Sequence, residues 1–471
     1  MDAFCQRRTA RRAQRLGLSQ VACLGRHTIT GVLSTCGREF DDWSADYRFF
    51  SQDQWEPRDL FRPVLGGVME HLASDDPVVT GIDDTGVRKT GTRTPGVAYR
   101  RDPLSPAFHV NFIRAQRFLQ CSAMLPAKAL PAGARGIPIR YEHVPPVPKP
   151  KKSAPPEAWK AYKARQRVEN LSTRAVEVLQ SVRLELDERH HANGRTLIVG
   201  VDGGYTNKTV LKRLPPRTTL IGRVRKDAEL FYPPQAQDQP RVGTKRKYGN
   251  PAPRPETLRQ DETVPWQEVR TFAAGQVHTF RVKTLGPVLW KKAGADRPLR
   301  LVVIAPVGYR LRQGSKLLYR QPAFLICTDP NLPLDKVLAY YVWRWEVEVN
   351  HRDEKQLIGV VQAQVWSSES VDRQPAFAVA NYAMLLLAGV RAFGTEATQG
   401  TLPPPKWRTK RAKQRITTQD LIQQLRYELW AYAMDLLGDD SNCFTTMSEP
   451  TRKPSESPWP LSPAVLYAQA G

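Results

Sequence analysis

The stretch Tyr341-Val-Trp-Arg-Trp-Glu-Val-Glu-Val-Asn-His-Arg-Asp-Glu-Lys355 decides how the whole chain is interpreted. At about 100° per residue, a helix would place four of its polar residues within a stripe roughly 60° wide. These residues are Tyr341, Arg344, Glu348 and Lys355. A carboxylate beside a phenol, a guanidinium and an ammonium suits a metal ion next to a phosphodiester. A solvated amphipathic helix with i, i+4 ion pairs would use the same residues, so the rest of the chain has to decide.

The net charge points to a polyanionic partner. The chain has 471 residues, enough for two or three domains, and 70 Lys and Arg against 46 Asp and Glu. The formal charge is +24 and the pI is about 9.9. Nucleic acid is the usual partner of so basic a protein. A membrane surface would need a basic amphipathic helix with a clean apolar face or a lipid anchor, and the sequence shows neither.

Cysteines and apolar runs narrow the class of protein further. The N-terminus reads as Arg-rich sequence without a secretory leader, and the longest apolar run, 376–390, is too short to span a bilayer. The six cysteines contain no C-x-x-C pair, which argues against a zinc ribbon and against a disulfide scaffold. We therefore expect a reducing compartment and no membrane partner.

Residues 1–75 are predicted to be a separate helical region that binds DNA. Its first helix carries a row of arginines suited to phosphates. These are Arg7, Arg8, Arg11, Arg12 and Arg15. A helix, a turn at Gly37 and renewed helical periodicity permit a helix-turn-helix reader, although a plain helical cap explains the pattern equally well.

Residues 76–224 are predicted to form the first part of an α/β core. A short β-rich run from Val78 ends at Asp83 and Asp84, and one bent strand or two strands follow in 108–125. A Pro/Lys-rich connector, 126–156, should be extended, and a long helix should run from Pro156 to about residue 190. A buried strand then ends at Asp202, and a helix and a parallel strand alternate after it.

The remaining segments carry the third acid and a basic loop. Residues 225–332 are predicted to be a β-rich insertion, and 333–398 to be core helices with Glu348. Residues 399–448 are predicted to be a basic loop followed by a C-terminal helix, and 449–471 a mobile Pro/Ser-rich tail. The basic loop should bind backbone phosphates. Its candidate side chains are Lys406, Arg408, Lys410 and Arg411.

Acids at strand ends are the candidate metal ligands. The carboxyl ends of neighbouring strands converge in open α/β sheets, so Asp202 and either Asp83 or Asp84 should lie close together, with Glu348 added from a helix. Carboxylates favour Mg²⁺ or Mn²⁺, and two such ions can stabilise both the attacking and the leaving oxygens of a phosphodiester displacement. A single acid at a strand end is usually only a cap or turn residue.

In these residues the chain resembles the bacterial insertion-sequence DDE transposases marked by a Y-x2-R-x3-E-x6-K signature. The stretch 341–355 satisfies every spacing of that signature. Gly81-Ile-Asp83-Asp84-Thr85-Gly86 is similar to the first-acid motif of the group, and Asp202-Gly-Gly-Tyr205 to the second. The resemblance covers roughly residues 20–395. Gly81, which interrupts the first strand, and the long connector depart from the pattern without touching the acids.

The resemblance implies an RNase H-like core interrupted by the β-rich insertion. It implies a site of two Mg²⁺ or Mn²⁺ ions held by Asp83, Asp202 and Glu348. Asp83 is preferred over Asp84 because the family pattern is Asp-x-Thr. The resemblance further assigns Tyr341, Arg344 and Lys355 to terminal phosphates.

The implied partners are double-stranded transposon ends and target DNA, bound by a homodimer in the bacterial cytoplasm, at the nucleoid. Members of this group often pass through hairpin ends, which needs a displaced base and an aromatic side chain to stack on it. Trp290, Trp343 and Trp345 are candidates, and the sequence does not choose among them.

The function predicted from the sequence is cut-and-paste transposition by metal-dependent hydrolysis and strand transfer. An inactive or domesticated relative that only binds DNA is one alternative, and a non-mobile nuclease of the same fold is another. A covalent Tyr or Ser recombinase fits less well, since such enzymes need no acidic triad.

Overall fold

One large mixed β-sheet carries the residues of interest. The computed structural model describes residues 4, 6–52, 55–91, 93–102, 105–106, 108–127, 133–190, 194–235, 243–273, 276–310, 314–395 and 415–437. The strands are β1 (Val78–Arg88), β2 (Ala98–Arg101), β3 (Phe112–Pro126), β4 (Ala134–His143), β5 (Leu197–Val201), β6 (Thr218–Arg223), β7 (Gln267–Ala273), β8 (Gln276–Trp290), β9 (Gly294–Ile304), β10 (Gly308–Tyr309), β11 (Leu318–Tyr319) and β12 (Ala323–Cys327).

Helices flank this sheet, so the predicted α/β class is confirmed. They are α1 (Arg7–Ala22), α2 (Ile29–Thr35), α3 (Ser44–Ser51), a 3₁₀ helix (Pro57–Phe61), α4 (Arg62–Met69), α5 (Pro156–Val168), α6 (Leu171–Arg189), α7 (Lys208–Lys212), α8 (Pro255–Gln260), α9 (Leu334–Trp343), α10 (Trp345–Gln356), α11 (Ser370–Phe393) and α12 (Thr418–Leu437).

In the described part of the chain the sheet has the order β2-β3-β1-β5-β6-β12-β9-β8-β7, and β4 also pairs with β3. β3 is antiparallel to β1, whereas β5 is parallel to both β1 and β6. Every residue of β5 is buried, as its continuous apolar sequence predicts for a central parallel strand.

The first acids lie within strand β1 and not at its end, so that prediction was wrong. Pairing with β5 stops at Gly81 and Gly200, but pairing with β3 continues to Arg88 and Ala115. β1 therefore carries Asp83 beyond the end of its parallel neighbour while one edge stays hydrogen-bonded. A run of apolar residues does not reveal that a longer antiparallel partner extends a strand.

Two other segments differ from the sequence prediction. The Pro/Lys-rich connector contains β4, which extends the sheet beside β3 from Pro126↔Ala134 to Phe118↔His143. The single long helix expected after Pro156 is two helices, α5 and α6, because Asn170 lies between them with an extended backbone. The Asn170 side chain accepts a hydrogen bond from the backbone N–H of Thr173, as helix N-caps do.

The predicted β-rich segment 225–332 does contain strands. β10 and β11 pair only with each other, but the other four belong to the same large sheet. β12 pairs antiparallel with β6, and β9, β8 and β7 follow it outward. The boundaries of this segment as a domain remain a prediction. A buried lysine, Lys283 of β8, holds the end of α8 by donating to the carbonyl of Arg259 over 3.1 Å.

The N-terminal helices are not separate from the rest of the protein. The rings of Phe49, Phe50 and Trp55 pack against Phe377 of α11, with centroid distances of 5.3, 5.6 and 6.3 Å. The sequence shows these apolar residues, but it does not show that their partner is a helix more than 300 positions away.

Two arginines of the predicted row, Arg12 and Arg15, help to hold the N-terminal helices together. Arg12, Arg15 and Arg38 all contact the buried carboxylate of Asp46, at 3.2, 2.6 and 3.2 Å. The other three arginines of the row are exposed and remain available to a polyanion. They are Arg7, Arg8 and Arg11.

Helix α11 is longer than its apolar run predicts. It has 24 residues, which by length and composition alone is enough to cross a membrane. However, 67% of its most apolar window is buried inside the fold, where the helix packs against α1, α4 and β4.

Candidate active site

The signature stretch forms two helices that meet at Arg344. α9 ends at Trp343 and α10 begins at Trp345, while Arg344 has φ −50° and ψ −30°. The backbone N–H of Val347 donates to the Arg344 carbonyl over 3.0 Å, a tight i, i−3 bond. The single continuous helix of the sequence prediction is therefore interrupted at this arginine.

The Arg344 side chain links the first and third predicted acids. Its Nη1 donates to Oδ2 of Asp83 over 3.0 Å, and its Nη2 donates to Oε1 of Glu348 over 3.1 Å. Its guanidinium also lies 6.0 Å from the centroid of the Tyr341 ring. Three residues of the predicted stripe thus lie together beside Asp83.

Asp83 is a mostly buried carboxyl. Burial raises the pKa of Asp83 from 3.8 to about 6, and the nearby charge of Asp202 acts in the same direction. Arg344, His351 and the backbone N–H of Asp84 lower that pKa but do not offset the burial. Arg344 therefore compensates only in part for the burial of the Asp83 carboxyl.

Asp202 approaches Asp83 because of strand register. Gly81 is paired with Gly200, and Asp83 and Asp202 each lie two positions further along the chain. The two acids therefore lie at the same level, just beyond the end of the pairing between β1 and β5. Oδ1 of Asp202 accepts the backbone N–H of Gly204 over 2.8 Å, which fixes the loop after β5. The convergence predicted for acids at parallel strand ends thus has a specific cause here.

Asp84 has its own partners on another side of β1. The Tyr205 hydroxyl donates to Oδ1 of Asp84 over 2.9 Å, and Arg117 Nε lies 3.1 Å from Oδ2. Burial is the largest cause that raises the pKa of Tyr205, so this hydroxyl stays protonated as a donor. Asp84 is held by Tyr205 and Arg117, whereas Asp83 shares Arg344 with Glu348, which supports Asp83 as the member of the pair that faces the site.

Arg117 and the role of Tyr205 were missed by sequence reasoning. Tyr205 belongs to the second-acid motif, but no role was assigned to it. Arg117 lies on β3 opposite Gly86. The antiparallel register that places Arg117 beside Asp84 is not visible in the sequence.

The other predicted site residues lie elsewhere or outside the described residues. Lys355 is near Glu354 and Arg88; its pKa is lowered, first by burial and then by Arg88, while Glu354 acts in the opposite direction. The basic-loop residues fall in the segment 396–414, outside the described part of the chain. They are Lys406, Arg408, Lys410 and Arg411.

At about 100° per residue, Glu346 and Asp353 fall outside the predicted stripe, and in the structure both have partners elsewhere. Glu346 pairs with Arg415 at 2.7 Å, and Asp353 accepts a hydrogen bond from the Thr418 hydroxyl over 2.6 Å.

The three tryptophan candidates differ in exposure. The side chain of Trp345, next to Arg344, is 60% exposed, whereas Trp290 and Trp343 are buried. Only Trp345 of the three presents its ring to a ligand without rearrangement of the core.

The donor chemistry of the site suits a hard divalent cation. Asp83, Asp202 and Glu348 offer carboxylate oxygens, and burial raises the pKa of Asp83, so a bound cation would stabilise its charged form. In this structure Arg344 supplies part of the positive charge. Among the described residues, no three His, Cys, Asp or Glu side chains are grouped as a metal site.

A family described as DDE superfamily endonuclease matches residues 2–297. The chain belongs to this family. Membership implies a metal-dependent nuclease that acts on DNA with divalent metal ions. The match includes Asp83 and Asp202 but ends before Glu348, so the third acid rests on the geometry around Arg344.

No curated protein matches the chain.

Proposed function

We propose that this DDE superfamily endonuclease is a cut-and-paste DNA transposase with an RNase H-like core. The observation that carries the proposal is the guanidinium of Arg344, which brings Asp83 of β1 and Glu348 of α10 together at the strand end where Asp202 leaves β5. The strand order β4-β3-β1-β5-β6, antiparallel on one side of β1 and parallel on the other, supports the RNase H-like core.

The three acids would hold two Mg²⁺ or Mn²⁺ ions. Bound there, the ions supply Lewis-acid catalysis of phosphodiester hydrolysis. The chain's own cations would bind the substrate, since Arg344 beside Tyr341 provides donors for a phosphate near the cleaved bond. Lys355 keeps its predicted role as a contact to a terminal phosphate, and the basic loop keeps its role as a contact to backbone phosphates through Lys406, Arg408, Lys410 and Arg411.

A basic cleft next to the site supports a polyanionic substrate. It has a volume of about 940 Å³ and begins at Gly203, directly after Asp202. Six cationic side chains and three acids line it, and Arg225 and Arg259 already pair with Asp227 and Glu256. The cations are Arg223, Arg225, Lys226, Arg259, Lys291 and Lys292.

The proposed reaction has two phosphoryl-transfer steps. Water attacks the phosphodiester at a transposon end and frees a 3′-OH, and that hydroxyl then attacks a target phosphodiester in line and displaces its 3′ oxygen. Positioning and charge compensation suffice for both steps, so no covalent enzyme intermediate is required. Bringing two ends together calls for a homodimer on DNA. The proposed location is the bacterial cytoplasm, at the nucleoid.

The exposure of Trp345 favours it as the residue that stacks on a displaced base. A duplex end with 2-aminopurine at the terminal positions should gain fluorescence on binding to the parent protein, because the probe leaves the base stack. Trp345→Ala should bind the end with little gain. An equal gain from the variant would remove Trp345 from this role.

The test of the function is cleavage of duplexes that carry the candidate terminal repeats flanking the coding region. Asp83→Asn, Asp202→Asn and Glu348→Gln should each abolish Mg²⁺-dependent nicking on a denaturing gel while retaining DNA binding in EDTA. Glu346→Gln is a matched control on the same helix, since Glu346 pairs with Arg415. Cleavage by Glu348→Gln at the parent's rate would reject the assignment.

Strand transfer separates the transposase from a non-mobile nuclease. A precleaved end with a free 3′-OH should join to a supercoiled plasmid in the presence of Mg²⁺ and produce a relaxed or linear joined product. Nicking of the ends without any joining would favour the nuclease.

A further inference from the structure

Helix α5 does not pack into the core of the described fold. None of its 13 residues is buried, whereas α6, which follows it directly, buries nine. Helices of this length are marginal in water, and a stable surface helix usually buries one apolar face. No side-chain cap closes its N-terminus. The described fold therefore leaves every residue of α5 at least partly exposed to solvent.

The helix and the connector before it are strongly basic. Residues 149–168 contain seven Lys and Arg and one acid, Glu157. Lys160, Lys163 and Arg167 are spaced i, i+3 and i+7, so they share a stripe about 60° wide. Arg165 points away from this stripe and pairs with Glu169 at 2.8 Å.

Aromatic contacts join the connector to the helix. The Lys149 ammonium lies 5.8 Å from the centroid of the Trp159 ring, and Trp159 packs edge-on against Tyr162 at 5.9 Å. The prolines before Lys149 stiffen the approach. Residues 149–168, named here the basic arm, are thus a pre-formed cationic element without a protein partner in the described fold.

We propose that the basic arm binds the phosphate backbone of double-stranded DNA outside the catalytic site. The proposal rests on the proposed function for the identity of the polyanion. A stripe of ammonium and guanidinium groups on a helix that buries no residue suits phosphate contacts, which need charge and not a buried interface. Such contacts carry no sequence information, so the arm should strengthen binding to any duplex.

The test measures binding to a duplex without candidate ends, by fluorescence anisotropy in EDTA between 50 and 200 mM salt, concentrations that span the range where phosphate contacts weaken strongly. Lys160→Gln/Lys163→Gln/Arg167→Gln removes the stripe and keeps good helix formers. Each lost contact should reduce the slope of log affinity against log salt by about 0.9. We expect a slope smaller by about 2–3 and an affinity reduced about 10- to 100-fold near 0.15 M salt.

The matched control removes three charges elsewhere. Arg62, Arg217 and Arg391 are exposed but paired with acids, so Arg62→Gln/Arg217→Gln/Arg391→Gln should leave the slope close to the parent's. A second variant, Lys160→Arg/Lys163→Arg/Arg167→Lys, keeps the charge and should bind like the parent. An arm variant that binds like the parent, or a control that loses as much, would overturn the proposal. A parent that binds no duplex would instead count against the proposed function.

Discussion

Gly81 of β1 and Gly200 of β5 are register partners, and both lie against Arg344. A Cβ added to Gly81 would lie 2.9 Å from Val347 Cγ2 and 3.4 Å from Arg344 Cα, and one added to Gly200 would lie 3.3 Å from Arg344 Cβ. The absence of side chains at the two glycines allows the junction of α9 and α10 to pack closely against β1 and β5. The glycine that departs from the family pattern thus has a steric reason in this structure.

We expect Gly81→Ala to destabilise the protein and to slow cleavage. The new methyl group must displace both the Met124 methyl, which can move, and Val347, which is stiff and belongs to α10. Overpacking of this kind costs about 1–3 kcal/mol and shifts Arg344 relative to Asp83. Urea unfolding and the nicking rate measure the two effects.

Gly86→Ala is the matched control in the same strand. Its Cβ would make an ordinary contact 3.7 Å from Ala115 Cβ, so stability should be unchanged or slightly increased. If Gly81→Ala were as stable and as active as Gly86→Ala, the close packing of α10 against Gly81 would not constrain the site.

The metal-free protein should lose stability as pH rises from about 4 to 6. The pKa of Asp83 is raised from 3.8 to about 6, so in this range the folded protein binds more protons than the unfolded chain. Asp83→Asn removes this penalty and should be more stable than the parent above pH 6, by up to about 3 kcal/mol. Thermal unfolding in EDTA at pH 4 to 8 measures the difference, and a difference independent of pH would contradict the prediction.

Truncation of Trp345 and truncation of Trp290 should differ strongly in their effect on the free energy of unfolding. Trp345→Ala removes a mostly exposed ring and should change the free energy of unfolding by less than about 0.5 kcal/mol. Trp290→Ala leaves a cavity beside buried residues of the core and should cost about 3–5 kcal/mol. Denaturant unfolding of both variants decides this, and a large loss in Trp345→Ala would show that its ring has a packing role.

Asp46→Asn should loosen the N-terminal helices. The change leaves Arg12, Arg15 and Arg38 without their shared acid, and breaking a buried ion pair costs about 3–5 kcal/mol, with the lower end apt for partly exposed arginines. Asp41→Asn is the control, because Asp41 also pairs with Arg38 but is exposed. We expect faster proteolysis within residues 1–52 for Asp46→Asn alone, and equal rates for the two variants would contradict the prediction.

Local chemistry explains why some elements were predictable. The apolar run of β5, the Asp-Gly-Gly turn after it and the spacing of Tyr341, Arg344 and Glu348 each depend on neighbours in the chain. Long-range partners explain the errors. β4 was interpreted as part of a connector because its own sequence pattern is interrupted, but pairing with β3 makes it a strand. The N-terminal helices were interpreted as separate because their partner, α11, is distant in the sequence.

The sequence by itself determined the acids, their order and the helical spacing that separates Glu348 from Glu346, because periodicity and turn chemistry act over a few residues. Only the tertiary structure decided that Asp83 and Asp202 leave a parallel pair at one level, that Arg344 joins Asp83 to Glu348, and that Asp84 is engaged by Tyr205 and Arg117. These contacts depend on strand register and on the close approach of α10 at two glycines, which the packing of distant segments sets.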